Sequence, residues 1–335
     1  MLTGAANDEA VSHWFPFTQG LADGKIESVV EHPCYAEGPT ICVEGLDPQV
    51  QGTTGERWVA VRWVRYLITP RRRDELMVSN TSATHTSETT GVSVPPQRVQ
   101  QSDAVREAAA GLAAVEQATA RLLQVVAAMD DAAARGASAL PGWTRGHVLT
   151  HLARNADGLV NLLTWARTGV EHPMYASRAD RDVDIEEGAP RSLWLLEQDI
   201  VAACGRFAAA ATGLGDSAWQ AEVVLLGNRT VRAHQVPWKR VSELWIHLVD
   251  LAAGVSFDDV PPDVAERIIG DSLAHYRSLP ARPSFRLTVG SRTWDVAGDG
   301  DVHDVTASTG GALAWVTGRG AAGIPGDVPV LPAWL

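Results

Sequence analysis

The chain has 335 residues and a net charge of −12, with 45% hydrophobic and 20% charged residues. That length can hold two ordinary domains, the composition is that of a soluble globular protein, and the acidic balance argues against nucleic acid or a polybasic membrane surface as partner. No apolar run approaches a membrane span, the opening MLTGAANDE lacks the basic and apolar parts of a signal peptide, and three scattered cysteines (Cys34, Cys42, Cys204) make no disulfide framework, so the expected compartment is the reducing cytoplasm.

Residues 1–101 read as a poorly structured extension of unknown role. They lack a sustained helical period, and the stretches 51–55 and 80–101 are polar. The run RWVAVRWVRY over 57–66 has the Val and aromatic content of a strand but no obvious partner. Cys34 and Cys42, with His32 nearby, are a weak candidate pair or metal site. The change of character is also consistent with translation starting at Met77, which N-terminal sequencing of native protein would test.

Order begins near Ser102. Leu112, Val115, Ala118, Leu122 and Val126 recur at spacings of three and four, which predicts a helix over 105–135. Thr144 is a good N-cap for a second helix, Arg145 to about Arg167, closed by Gly169. A third is expected over 191–211. Short strands over 222–226 and 230–233 flank a Gly227-Asn228-Arg229 turn, and Pro237 fits the first turn of a fourth helix ending at Gly254. Beyond Pro262 the pattern becomes a helix over 263–279, strands over 284–289, 293–296 and 303–308, and a short helix over 310–318. The reading is α+β: residues 102–256 as a metal-binding four-helix bundle, and 257–335 as a small α+β domain.

The fourth helix carries the segment RVSELWIHLVDL (240–251). Glu243 and His247 stand at i,i+4, which stacks them on one face about 6 Å apart along the axis. Such a pair can grip one divalent ion if a third ligand comes from elsewhere; the plainer reading is a surface pair on an amphipathic helix. The second helix offers His147 and His151, also at i,i+4, and spacing does not choose between them. Two histidines and a glutamate suit zinc or another borderline divalent metal. Asp250 and Asn155 are candidates to orient a ligand, with a helix-surface role as the competing reading.

The run GWTRGHVLTHLARNADGLVNLLTWARTGVEHPMY (142–175), together with RVSELWIHLVDL, resembles the mycothiol-dependent maleylpyruvate isomerases of the DinB-like metal-dependent thiol-transferase superfamily. The resemblance covers about residue 104 to the C-terminus and does not reach residues 1–100. It implies a DinB-like four-helix bundle whose metal ligands are His151, Glu243 and His247, with His147 not a ligand. It also implies an arginine needed for activity, carried here to Arg319 in the segment 317–320, as catalytic and substrate-binding residue. Arg181, read as lying in the loop after Tyr175, resembles a second family arginine and is a further substrate-binding candidate; a solvated loop charge is the plainer reading.

The activity implied by the resemblance is that of a cis-trans isomerase converting maleylpyruvate to fumarylpyruvate, a step of gentisate-type aromatic degradation. It would use a divalent metal, most readily Zn2+, and the thiol of mycothiol. Thiolate addition makes the double bond single, rotation comes next, and thiol expulsion leaves the trans product. Cys204, among alanines on another helix, reads as core, so an external thiol fits. Two alternatives stand beside this: a metal-dependent mycothiol S-transferase acting on another electrophile, and a non-catalytic metal-binding regulatory module. Thiol-dependent turnover separates both enzymes from the module, and the product separates isomerase from transferase. Partners are thus expected to be small molecules.

Overall fold

The computed structural model describes residues 102–333 and three short strands before them. The chain divides into two compact units, Met1–Val94 and Pro95–Leu335. In the first, β1 (His13–Phe17), β2 (Ile41–Cys42) and β3 (Arg62–Tyr66) form an antiparallel sheet in the order β1-β3-β2. Of the strand expected over 57–66, Arg62–Tyr66 is described, and it has the partners that local sequence did not reveal. The readings of Cys34 and Met77, and the rest of the extension, lie outside the described residues.

In the second unit, α1 (Asp103–Ala127) starts where the Ser102 hydroxyl accepts from the Val105 N–H, and it buries a stripe from Ala104 through Ala108, Val115 and Leu122 to Val126. The single helix expected to Arg135 is two: the Asp130 carboxylate accepts from the Ala133 N–H and starts α2 (Asp131–Arg135) afresh. Helix α3 (Arg145–Thr168) is capped by Thr144 and ends at Gly169, whose φ of 71° is the left-handed geometry that glycine adopts at no steric cost. The next segment corrects the sequence reading, because residues 178–188 are not a loop but α4 (Arg178–Gly188), capped by Ser177. Its only buried residues are Ile185 and Gly188, so no apolar period announces it.

Helix α5 (Leu193–Thr212), the antiparallel hairpin β4 (Glu222–Leu225) and β5 (Arg229–Arg232), and α6 (Val236–Asp250) complete the helical part. Helices α1, α3, α5 and α6 pack as a bundle, α3 against α5 and α6, and α1 against α6. Helix α6 stops at Asp250 rather than Gly254, and the Arg145 guanidinium takes its trailing carbonyls, Leu251 O at 2.6 Å and Ala252 O at 3.1 Å.

The remainder is α7 (Pro262–Ser278), β6 (Pro283–Val289), β7 (Arg292–Val296), β8 (Asp299–Ala307) and α8 (Thr309–Val316). The sheet order is β7-β6-β8, with β6 antiparallel to β7 and parallel to β8. The fold is thus α+β, as expected. One hydrophobic core runs from Leu122 and Leu152 in the bundle to Ile269, Leu287 and Leu313 beyond it. Among the described residues no helix is long and apolar enough to cross a membrane.

Candidate metal centre

Three side chains from two helices meet in the bundle. His151 of α3 and Glu243 and His247 of α6 offer ligand atoms that all lie within 4.8 Å of one another. The Nε2 of His151 is 3.0 Å from Glu243 Oε2, and the Nε2 of His247 is 3.5 Å from the same oxygen. The helices are held in register by Arg240, fully buried, which donates to Leu152 O at 2.8 Å and Asn155 Oδ1 at 2.9 Å. Asn155 therefore serves the helix pairing rather than a ligand.

Asp250 orients the His247 ring. Its buried Oδ2 accepts from His247 Nδ1 at 2.9 Å, which leaves Nε2 facing Glu243. Arg319 forks onto the same carboxylate, Nε to Oδ1 at 3.1 Å and NH2 to Oδ2 at 2.6 Å, and donates from NH1 to Thr317 O at 2.6 Å. The guanidinium of Arg319, which the resemblance gives to the substrate, is thus engaged by Asp250. Arg181 is corrected too: it is no solvated charge but sits on α4, with its side chain 16% exposed, and its NH2 donates to His151 Nδ1 at 3.1 Å. His147, the other histidine of α3, closes the helix start: the Thr144 N–H donates to its Nδ1 at 3.1 Å.

The electrostatics arise from burial and mutual contact. Burial, and then the charge of His247, push His151 down to about 4, so its imidazole is neutral near pH 7. Burial also acts to lower His247, but its hydrogen bonds to the Asp250 and Glu243 carboxylates outweigh it and hold that ring above its usual value. Burial favours the acid form of Glu243, yet His151 and His247 together hold its carboxyl well below the usual range. Two imidazoles, an ionised carboxylate and an orienting carboxylate behind one of the imidazoles make a donor set that fits a borderline divalent ion.

These residues open onto a cavity of about 290 Å³. Trp143, whose ring lies 5.8 Å from that of His151, forms part of its wall, with Met174, Tyr175 and the β4–β5 turn.

The profile of the mycothiol maleylpyruvate isomerase N-terminal domain matches residues 115–252. Two solved structures, the mycothiol-dependent maleylpyruvate isomerase and a histidine-to-alanine mutant of it, each align with a TM-score of 0.64 and 31% identity. Each alignment covers 68% of this chain and 97% of the other. The chain belongs to the mycothiol-dependent maleylpyruvate isomerase family. No curated protein matches it.

In this family member the sequence reading missed part of the cavity wall. Arg229, Lys239, Asp271 and His275 also line it, from β5, α6 and α7. The one available signal was spacing, since Lys239 stands one turn before Glu243, and Asp271 one turn before His275.

Proposed function

We propose that the chain isomerises maleylpyruvate to fumarylpyruvate with mycothiol as the thiol, in the cytoplasm. The observation that carries this reading is the His151, Glu243 and His247 cluster at the wall of a cavity, in a chain 31% identical to a mycothiol-dependent maleylpyruvate isomerase over nearly the whole of the latter. His151, Glu243 and His247 would hold a divalent ion, zinc being the best match to two imidazoles and a carboxylate. A divalent ion bound there supplies Lewis acidity that lowers the pKa of a thiol, so that thiolate forms at neutral pH.

The protein's own groups do the rest. Asp250 fixes the His247 ring, and Arg319 fixes Asp250. Arg181 brings a fixed positive charge to the cavity, where it can meet a substrate carboxylate. Trp143, Leu159 and Met174 line the wall with apolar surface that limits water. On thiolate addition the substrate's cis double bond becomes single and its electron pair moves onto the conjugated carbonyl. Rotation and thiol expulsion then restore the double bond as trans, with no net oxidation. Residues 102–256 serve as the ligand-bearing bundle in this reading, and residues 257–335 supply Arg319 and the α7 wall.

A spectrophotometric assay of maleylpyruvate consumption by zinc-loaded protein, with and without mycothiol, tests it. Fumarylpyruvate formed only with mycothiol is the expected result; no turnover by metal-replete protein would remove the isomerase reading. His151→Ala should lose both stoichiometric metal and turnover, and full activity in that variant would refute the ligand assignment.

A further inference from the structure

The cavity is charged against the grain of the molecule. The chain carries a net −12, yet five basic side chains line the cavity (Arg178, Arg181, Arg229, Lys239 and Arg319) against two carboxylates, Glu243 and Asp271. Low-dielectric walls concentrate such a field, so the cavity draws anions. Arg181 and Arg319 are already turned to the ligand cluster, through His151 and Asp250. Arg229 and Lys239 are not.

Lys239 precedes Glu243 by one turn of α6, which sets its Cα about 6 Å along the axis from that of the ligand. Its Nζ meets Asp271 Oδ2 at 2.6 Å, and Asp271 also takes Arg267 Nε at 3.2 Å, so its single charge is shared between two cations. Arg229 enters the lining from β5, at its first position after the turn of Gly227 (φ 87°) and Asn228 (φ 62°). Its Nε is buried without a hydrogen-bond partner among the described residues, and so is the Nδ1 of His275 on α7. Buried polar atoms are nearly always satisfied, and two orphans in the lining of one cavity mark the place of a ligand. Burial, then the charges of Arg229 and Lys239, hold His275 below its usual value, so it is a neutral hydrogen-bonding group there.

We infer that Arg229, with Lys239 and His275, forms a carboxylate subsite that takes the end of the substrate farther from the reacting double bond. This rests on the isomerase reading, which supplies a substrate with a carboxylate at each end. The carboxylate next to the double bond stays by Arg181, while the keto-acid carboxylate reaches along α6 to Arg229. A charge-assisted hydrogen bond pairs the orphan Nε, and the subsite selects dianions over monoanions.

The test is calorimetric titration of the full-length, zinc-loaded protein with two probes. One is fumarylpyruvate, and the other is its methyl-ketone counterpart, in which the keto-acid carboxylate is replaced by methyl. Wild type should bind the dianion roughly 10- to 100-fold more tightly, the scale of a charge-assisted hydrogen bond. Arg229→Met should close that gap, and Arg229→Lys should keep most of it. Equal affinity of the wild type for both probes would overturn the subsite. So would an Arg229→Met variant that weakens both equally, which would point to a structural role. Lys239→Met, which leaves Asp271 paired with Arg267, should narrow the gap and serves as second variant should Arg229→Met not fold. Because binding is read without turnover, a protein that fails to isomerise but keeps the gap loses the proposed reaction and keeps the subsite. One that isomerises without the gap does the reverse.

Discussion

Asp250 carries more of the centre than its place at the end of α6 suggests. It is fully buried, and burial alone would favour its neutral acid; the hydrogen bonds of His247 and Arg319 reverse that and hold the carboxyl below its ordinary value. The carboxylate therefore sets the tautomer of His247 and anchors a residue 69 positions away in sequence. Asp250→Asn keeps the volume and one acceptor but removes the charge. It should fold, and its affinity for zinc should fall about 10- to 100-fold, the usual cost of losing an orienting partner behind a metal-bound histidine. Competition against a chromogenic chelator reads this directly. Unchanged affinity would mean that packing, not the carboxylate, orients the His247 ring.

The elements that place these residues are held apart by very little. Gly146 in the first turn of α3 lies against the carbonyl of Ala189, just past the end of α4, and Gly188 lies against the Thr150 side chain, beside His151. A Cβ at Gly146 would overlap the Ala189 oxygen, so backbone must shift. Gly146→Ala should cost about 1–3 kcal/mol, the range for overpacking, and lower the denaturant midpoint. Gly205 is the control: it is exposed on α5 with nothing within 4 Å, so Gly205→Ala should gain about 0.5–1 kcal/mol. Should Gly146→Ala prove neutral, α4 rides freely on α3 and Arg181 is not fixed by that contact. This packing explains what the sequence withheld. Helices α1, α3, α5 and α6 show apolar periods, α3 also its cap and closing glycine, and the i,i+4 pair of α6 could be read from spacing. The choice of His151 over His147 came from resemblance. The geometry is consistent with it, because His151, and not His147, lies with Glu243 and His247 in the cluster. Helix α4 buries almost nothing apolar and so left no pattern. Arg229 and His275 approach the cavity from elements far apart in sequence, which no local period encodes.

At the scale of the molecule, the layer beyond the bundle reaches the centre through one arginine, and a single phenol helps hold the helix before it. Tyr276 of α7 is fully buried, and its hydroxyl donates to Val316 O at 2.8 Å, at the end of α8 and three residues before Arg319. Burial pushes this phenol from 10.0 up to about 12, with only a small opposing pull from the Arg319 charge. Between those values the unfolded chain has released its proton while the folded chain keeps it, so the folded state binds more protons and stability falls as pH rises. The contribution is fully present below pH 10 and is lost as pH passes 12, at up to about 1.4 kcal/mol per pH unit. Lys239 acts in the opposite direction: burial lowers its pKa, so its deprotonation favours the folded state as pH rises. A wild-type alkaline profile therefore mixes signs, and the informative quantity is the difference between wild type and Tyr276→Phe. That variant loses one buried hydrogen bond, about 1 kcal/mol at neutral pH. Its deficit should shrink once the medium passes pH 10, because phenylalanine has no proton to hold. Denaturant unfolding on both sides of pH 10 reads the convergence. Parallel curves throughout would mean that the phenol stays protonated in the unfolded ensemble as well, and that alkaline stability of the α7–α8 layer is set elsewhere.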